Sequence, residues 1–261
     1  MVEISCTDSK LLARDLWRVM TAPPSEPASG EFNMTLTSIV LLTIGLALTT
    51  YKGELLAQSS APDSTSSAAA SRPLLTLQMP ALPEPVPVVL KPATTALLVS
   101  DMIDPTCKSQ PKCTQIMLPA IASLLAQARK AGVLVVYSTR AATMSKWLPE
   151  VAPAPGDAMS DSYAQDRFYN SVLDKTLKAK GITTLILTGW KVSGSVLYTS
   201  VGATLRDYTV VVPVDASLAA TEYEVAIGLF QILNQNSANA TNDPLKPKAS
   251  TLSRTDMITF Q

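Results

Sequence analysis

The chain has 261 residues, 47% of them hydrophobic, with 21 basic and 21 acidic side chains that cancel to a formal charge of zero. This is enough for one large domain with extensions, and the balanced charge gives no electrostatic case for binding nucleic acid or an anionic membrane. It contains no histidine, which excludes Ser-His-Asp and Cys-His catalysis and any imidazole metal site, and Cys6, Cys107 and Cys113 are too few and scattered for a thiolate zinc cage.

Residues 36–51, LTSIVLLTIGLALTTY, form an apolar run shorter than the roughly 20 residues of a membrane span. The run suits the apolar core of an export signal. Small residues at Ala57, Ser59, Ser60 and Ala61 offer cleavage sites, and Met34 is an alternative start to Met1. An uncleaved anchor through residues 36–51 is the competing expectation. Residues 58–73, QSSAPDSTSSAAASRP, and a Pro-rich stretch to Pro92 read as a linker, too poor in apolar surface to order itself. The expected organisation is a leader over 1–57, a linker over 58–93 and a domain over 94–261.

Within the domain, residues 96–100 (ALLVS) predict a strand buried on both faces. Asp101 follows it, and Cys107 and Cys113 lie close by in CKSQPKC, spaced for a small disulfide loop in an exported protein or remaining as two free thiols. Met117, Ile121, Leu124, Leu125 and Ala128 recur at helical spacing up to Gly132, and residues 133–137 (VLVVY) predict a second strand. Arg140, just beyond it, is a candidate contact for an anionic substrate. Phe168, Val172, Leu173 and Leu177 mark another helix, residues 185–187 and 210–214 two more strands, and Val225, Ala226, Leu229, Phe230 and Leu233 a last helix. The segment 234–261 carries turn signals and returns as an edge element or a tail. Strand and helix in alternation predict an α/β fold: three layers, α/β/α, around a mainly parallel sheet.

The switch from strand 185–187 through Gly189 into a helix at Ser195 places a side chain at the carboxyl edge of such a sheet, where ligands bind. Residues 185–203, LILTGWKVSGSVLYTSVGA, resemble the nucleophile turn of the isochorismatase-like cysteine hydrolases, G-V-A/T-x-x-x-C-V-x-x-T-A-x-x-A, matching at Gly189, Val196, Thr199 and Ala203. Ser195 stands at the family's cysteine. SDMID resembles L-L-x-x-D-M-Q-N-D, with Asp101 at the general base, Ile103 at the Gln and Asp104 at the second acid. PAPGDAMSDSYAQDRF, residues 153–168, aligns without gaps to P-x-P-G-D-x-x-x-x-K-x-x-x-S-A-F and puts Ser162 at the triad lysine.

The resemblance spans about residues 94–233 and implies a Rossmann-like isochorismatase fold. It also implies a hydrolase of small amides or related compounds, with a small-molecule ligand, no cofactor and a possible homo-oligomer. Its catalytic candidates are Asp101, Ser195 and Ser162, and its pocket candidates Trp190, Lys191 and Gly194, with Trp147 a weaker one. The implied peptide Trp190–Lys191 is cis. The metal site of the family's nicotinamidases needs histidine, so nicotinamide is not the expected substrate. Serine is far less acidic than cysteine, so an aspartate alone activates it poorly. Ser195 is therefore a nucleophile, a group that positions water, or, with Ser193 and Gly194, a helix cap. A catalytically degenerate binding protein is the alternative to the hydrolase.

Overall fold

The computed structural model describes residue 78 and residues 81–140 and 146–261. The expected leader and most of the expected linker lie outside these residues. The first strand, β1 (Val88–Leu90), precedes β2 (Thr95–Ser100) and a short helix α1 (Asp104–Cys107). A π-helical turn then runs into α2 (Leu118–Ala131), followed by β3 (Leu134–Ser138), β4 (Ala158–Met159), α3 (Leu173–Ala179) and β5 (Thr184–Gly189). The second half adds α4 (Leu197–Thr204), β6 (Thr209–Pro213), α5 (Glu222–Asn234), β7 (Ser250–Ser253) and β8 (Ile258–Phe260).

Six strands pair in the order β4-β3-β2-β5-β6-β7, every neighbour parallel. The α/β reading of the sequence holds. Continuous apolar runs make the central strands, because both faces are covered. Leu97, Val99, Val135 and Ile186 turn to the side of α2, where Ile121, Leu124 and Leu125 pack. Ala96, Leu98, Leu185 and Leu187 turn to the other side, against Leu177, Val196, Leu229 and Ile232 of the remaining helices. Gly132 ends α2 in the left-handed conformation (φ 76°), which a Cβ disfavours. Among the described residues no helix is long and apolar enough to cross a membrane.

Two boundaries need correction. The folded unit begins before residue 94: β1 pairs with β8, the Val86 amide donates to the Leu252 carbonyl (3.0 Å), and Val88 and Leu90 are buried. The Pro-rich segment lacks its own core, yet the C-terminal segment supplies the partners it needs. Asn242, buried and at φ 58°, donates to the carbonyls of Glu84 (2.9 Å) and Leu252 (3.0 Å) and accepts from the Leu252 amide (2.7 Å). Asn242→Ala removes all three bonds and puts a less tolerant residue in the left-handed region, so we expect it to cost about 2–4 kcal/mol. A urea unfolding midpoint unchanged by that substitution would disprove this role.

The second correction concerns the helix expected over 168–177, which starts only at Leu173. Upstream, the Asp166 carboxylate accepts from the Phe168 amide (2.9 Å) and the Ser171 hydroxyl donates to the Arg167 carbonyl (2.6 Å). These local bonds compete with helical ones. Val172 is exposed and Phe168 stacks on Tyr208, 5.7 Å between ring centroids.

Candidate active site

Strand order reverses at β2: β3 lies on one side and β5 on the other. In open parallel sheets such a point leaves a crevice beyond the strand ends. Here it holds a cavity of about 240 Å³, whose walls include Asp101, Arg140, Arg167, Trp190, Lys191 and Ser195. Thr139, Gln165, Ile103, Thr106 and Gly194 complete the wall.

Asp101 leaves β2 with φ 56° while its amide donates to the Ser138 carbonyl of β3 (3.1 Å). A left-handed aspartate is uncommon and costs of order 1 kcal/mol. It turns the chain off the sheet and the carboxylate into the cavity. On the neighbouring strand, Gly189 has φ 122°, and a Cβ there would lie 1.9 Å from the Ser100 carbonyl oxygen. Only glycine permits this approach. The chain then passes through the cis peptide Trp190–Lys191, with the Trp190 amide donating to Ser100 (3.2 Å) and the Val192 amide to Leu218 (2.9 Å).

Ser195 is buried, and its hydroxyl donates to the Trp190 carbonyl at 3.0 Å. It does not cap the helix: neither the π-helical turn Val192–Val196 nor α4 has a side-chain bond at its N-cap. Gly194 interrupts the helical path with non-helical torsions, and a Cβ on it would meet Lys191 Cγ at 3.3 Å.

Ser162 and Lys191 do not supply the missing cation. The Ser162 hydroxyl donates to the carbonyls of Tyr169 (2.7 Å) and Asp166 (3.2 Å) and forms no part of the cavity wall. It shapes a loop, which corrects its placement among the catalytic candidates. Lys191 lines the cavity, but its ammonium pairs with Glu224. Glu224 also closes a capping box with Thr221 at the start of α5.

The cation beside Asp101 is Arg167. Its side chain is fully buried, Nη2 pairs with Asp101 Oδ2, and Nη1 donates to the carbonyls of Ser162 (3.0 Å) and Ala164 (3.3 Å). Burial pushes the Asp101 carboxyl above its ordinary 3.8, against the Arg167 charge and hydrogen bonding with Ser195, Arg167 and Thr139. Burial likewise lowers Arg167, and the Asp101 charge opposes it. Desolvation outweighs pairing for both groups. Sequence reasoning missed Arg167, although it is the one basic residue between Trp147 and Asp174. A single cation in a loop returning to the sheet edge was the available signal.

Trp147, Asp157, Asp215 and the two cysteines lie outside the cavity wall. Trp147 packs edge-on against Tyr137, with ring centroids 4.9 Å apart. Asp215 accepts from the Thr255 amide (3.0 Å) and hydroxyl (2.6 Å). Asp157 of the Pro-Gly-Asp motif pairs with Arg129 and accepts from the Ala154 amide (2.8 Å). Cys107 and Cys113, both buried, are joined as a disulfide just behind Thr106 of the cavity wall. No group of three or more His, Cys, Asp or Glu that could hold a metal ion occurs among the described residues.

Comparisons with known proteins agree on one family. A ureidoacrylate amidohydrolase RutB of Stutzerimonas stutzeri is 29% identical over 60% of this chain and 82% of its own. Its counterpart from Methylobacterium radiotolerans is 26% identical over 53% of this chain and 72% of its own. Among solved structures, an isochorismatase family protein from Burkholderia thailandensis superposes with a TM-score of 0.55 at 19% identity, over 66% of this chain and 96% of that one. The N-carbamoylsarcosine amidase of Thermoplasma acidophilum gives 0.52 at 22% identity, over 62% and 97%. These two likenesses concern the fold. The family profile described as Isochorismatase domain matches residues 95–242, more than half of the chain, and the protein therefore belongs to the isochorismatase-like hydrolase family.

Proposed function

We propose that this protein hydrolyses a small amide or related compound, with Asp101 as the general acid and base. The observation that carries this reading is the buried Asp101–Arg167 pair at the strand switch, facing Ser195 across one cavity. The curated relatives are named amidohydrolases, which favours an amide substrate.

In this scheme the Asp101 carboxylate takes a proton from water as the oxygen attacks the carbonyl carbon. The C–N bond breaks, and Asp101 returns the proton to the departing nitrogen. One water is consumed, and an acid and an amine or ammonia result. Ser195 positions the water. Its one hydroxyl proton is shared between the Trp190 carbonyl (3.0 Å) and the Asp101 carboxylate, and a carboxylate is far too weak a base to ionise an alcohol. Arg167 is a positioning residue that keeps Asp101 ionised and oriented.

The role of Arg167 has a pH signature. Its charge lowers the Asp101 pKa, so Arg167→Gln is expected to move the acid limb of kcat/KM to higher pH, by about one unit or more. Arg167→Lys should restore much of the limb. A limb that stays in place in both variants would remove Arg167 from this role.

A second reading has its own observation. The Asp101 carboxylate and the Ser195 hydroxyl already have protein partners, as in a binding protein that has lost turnover. Product assays over a panel of primary amides, ureides, esters and vinyl ethers decide between them. Saturable binding without product from any of these would establish the binding protein. The apolar run 36–51 and the Cys107–Cys113 bond support export, since disulfides persist in oxidising compartments.

A further inference from the structure

Four charged side chains line the cavity: Asp101, Arg140, Arg167 and Lys191. Three have an opposite charge beside them, Asp101 and Arg167 in each other and Lys191 in Glu224. Arg140 is different. It follows the carboxyl end of β3, it is exposed, and it forms no ion pair among the described residues. The five residues after it, AATMS, bring no carboxylate. Nearby Asp161 accepts from the Thr139 amide at 3.0 Å.

The Arg140 guanidinium is nevertheless held in place, since its Nε donates to the Tyr163 carbonyl at 3.2 Å. That bond leaves the two terminal nitrogens as a fork at the cavity wall. Its charge reaches Arg167, where it opposes protonation. Asp161 offsets part of this charge at Arg167 but forms no ion pair with Arg140. The Arg140 guanidinium remains the one unpaired cation on the cavity wall among the described residues, and it favours an incoming anion. A planar fork with two parallel N–H donors matches a carboxylate better than any neutral group.

We propose that the ligand of this cavity is an amide bearing a carboxylate on a short aliphatic chain, with the carboxylate on Arg140 and the amide between Asp101 and Ser195. Arg140 is thus a specificity residue. Where the amide lies rests on the hydrolase reading; the anion site on Arg140 stands on its own charge and geometry. A cavity of about 240 Å³ has room for such a molecule.

Binding calorimetry on the purified protein tests this with matched pairs: succinamate against butanamide, and glutaramate against pentanamide. Each pair shares a primary amide and differs by the carboxylate. At least one acid should bind about tenfold or more tightly than its neutral partner, a ratio that shrinks with added salt. Arg140→Gln should bring that ratio toward one, and Arg140→Lys should restore part of it. The proposal is overturned if neither acid binds better than its partner, or if the preference survives Arg140→Gln. Product formation is recorded separately, so absence of hydrolysis counts against the hydrolase reading and leaves the anion site standing.

Discussion

Asp101→Asn is expected to lower kcat/KM by about 10²–10⁴-fold, the range by which a positioned acid or base accelerates proton transfer. The amide keeps the shape of the carboxyl group and can neither take a proton from water nor return one. The same substitution should not weaken the fold. Burial raises the Asp101 pKa above 3.8 even beside Arg167, so ionising this group costs more in the folded protein than in the unfolded chain. The stability tied to Asp101 is therefore present below 3.8 and is lost as pH rises through the raised folded value. Asn mimics the neutral acid at every pH. Urea unfolding should show wild type and Asp101→Asn nearly equal near pH 3.5, with the variant gaining at pH 7. A gain in stability would follow from the raised pKa of Asp101 alone, while the buried Arg167 left without its partner acts in the opposite direction. Full retention of turnover would rule out Asp101 as acid and base; a variant that loses stability at pH 7 would show that Arg167 stabilises the ionised form overall.

The parts of the molecule that obey a simple period were legible from sequence. Strands β2, β3, β5 and β6 are apolar runs, and α2 repeats its apolar residues until Gly132. Strands β1, β4 and β8 were not, because two or three residues carry no period and pairing with distant segments decides them. The site divides in the same way. Asp101 and Ser195 follow strand ends, so alternation placed them at the sheet edge, and the family resemblance made them catalytic candidates. Arg167 sits in a loop between β4 and α3, and its burial depends on Asp101, 66 positions earlier, together with carbonyls of its own loop. Ser162 shows the opposite failure. Its alignment was gapless, yet the loop turns its hydroxyl onto Asp166 and Tyr169. Matching position along the chain does not fix where a short side chain points.

Gly189→Ala is expected to have the largest effect on the fold of any single methyl group added here. The new Cβ would sit 1.9 Å from the Ser100 carbonyl oxygen, 2.7 Å from its carbon and 2.9 Å from its nitrogen. These are backbone atoms of the central strand, paired on both sides with β3 and β5, so no side-chain rotation relieves the contact. Alanine at φ 122° adds its own strain. Together these should cost more than about 4 kcal/mol, the range in which single substitutions abolish folding. Gly132→Ala provides the contrast. It also has a positive φ, 76°, but a Cβ there meets nothing within 4 Å, and its cost should stay near 1 kcal/mol. Comparing both variants by urea midpoint and by soluble yield separates close approach from backbone preference. Equal losses would mean that positive φ alone sets both costs and that the β2–β5 contact is not the constraint. If Gly189→Ala instead folds with lowered stability, its catalytic loss should exceed its stability loss. Ser100 immediately precedes Asp101 and Gly189 immediately precedes Trp190, whose carbonyl holds Ser195. Parting the strands at this point pulls the acid–base group away from the residue that positions its water.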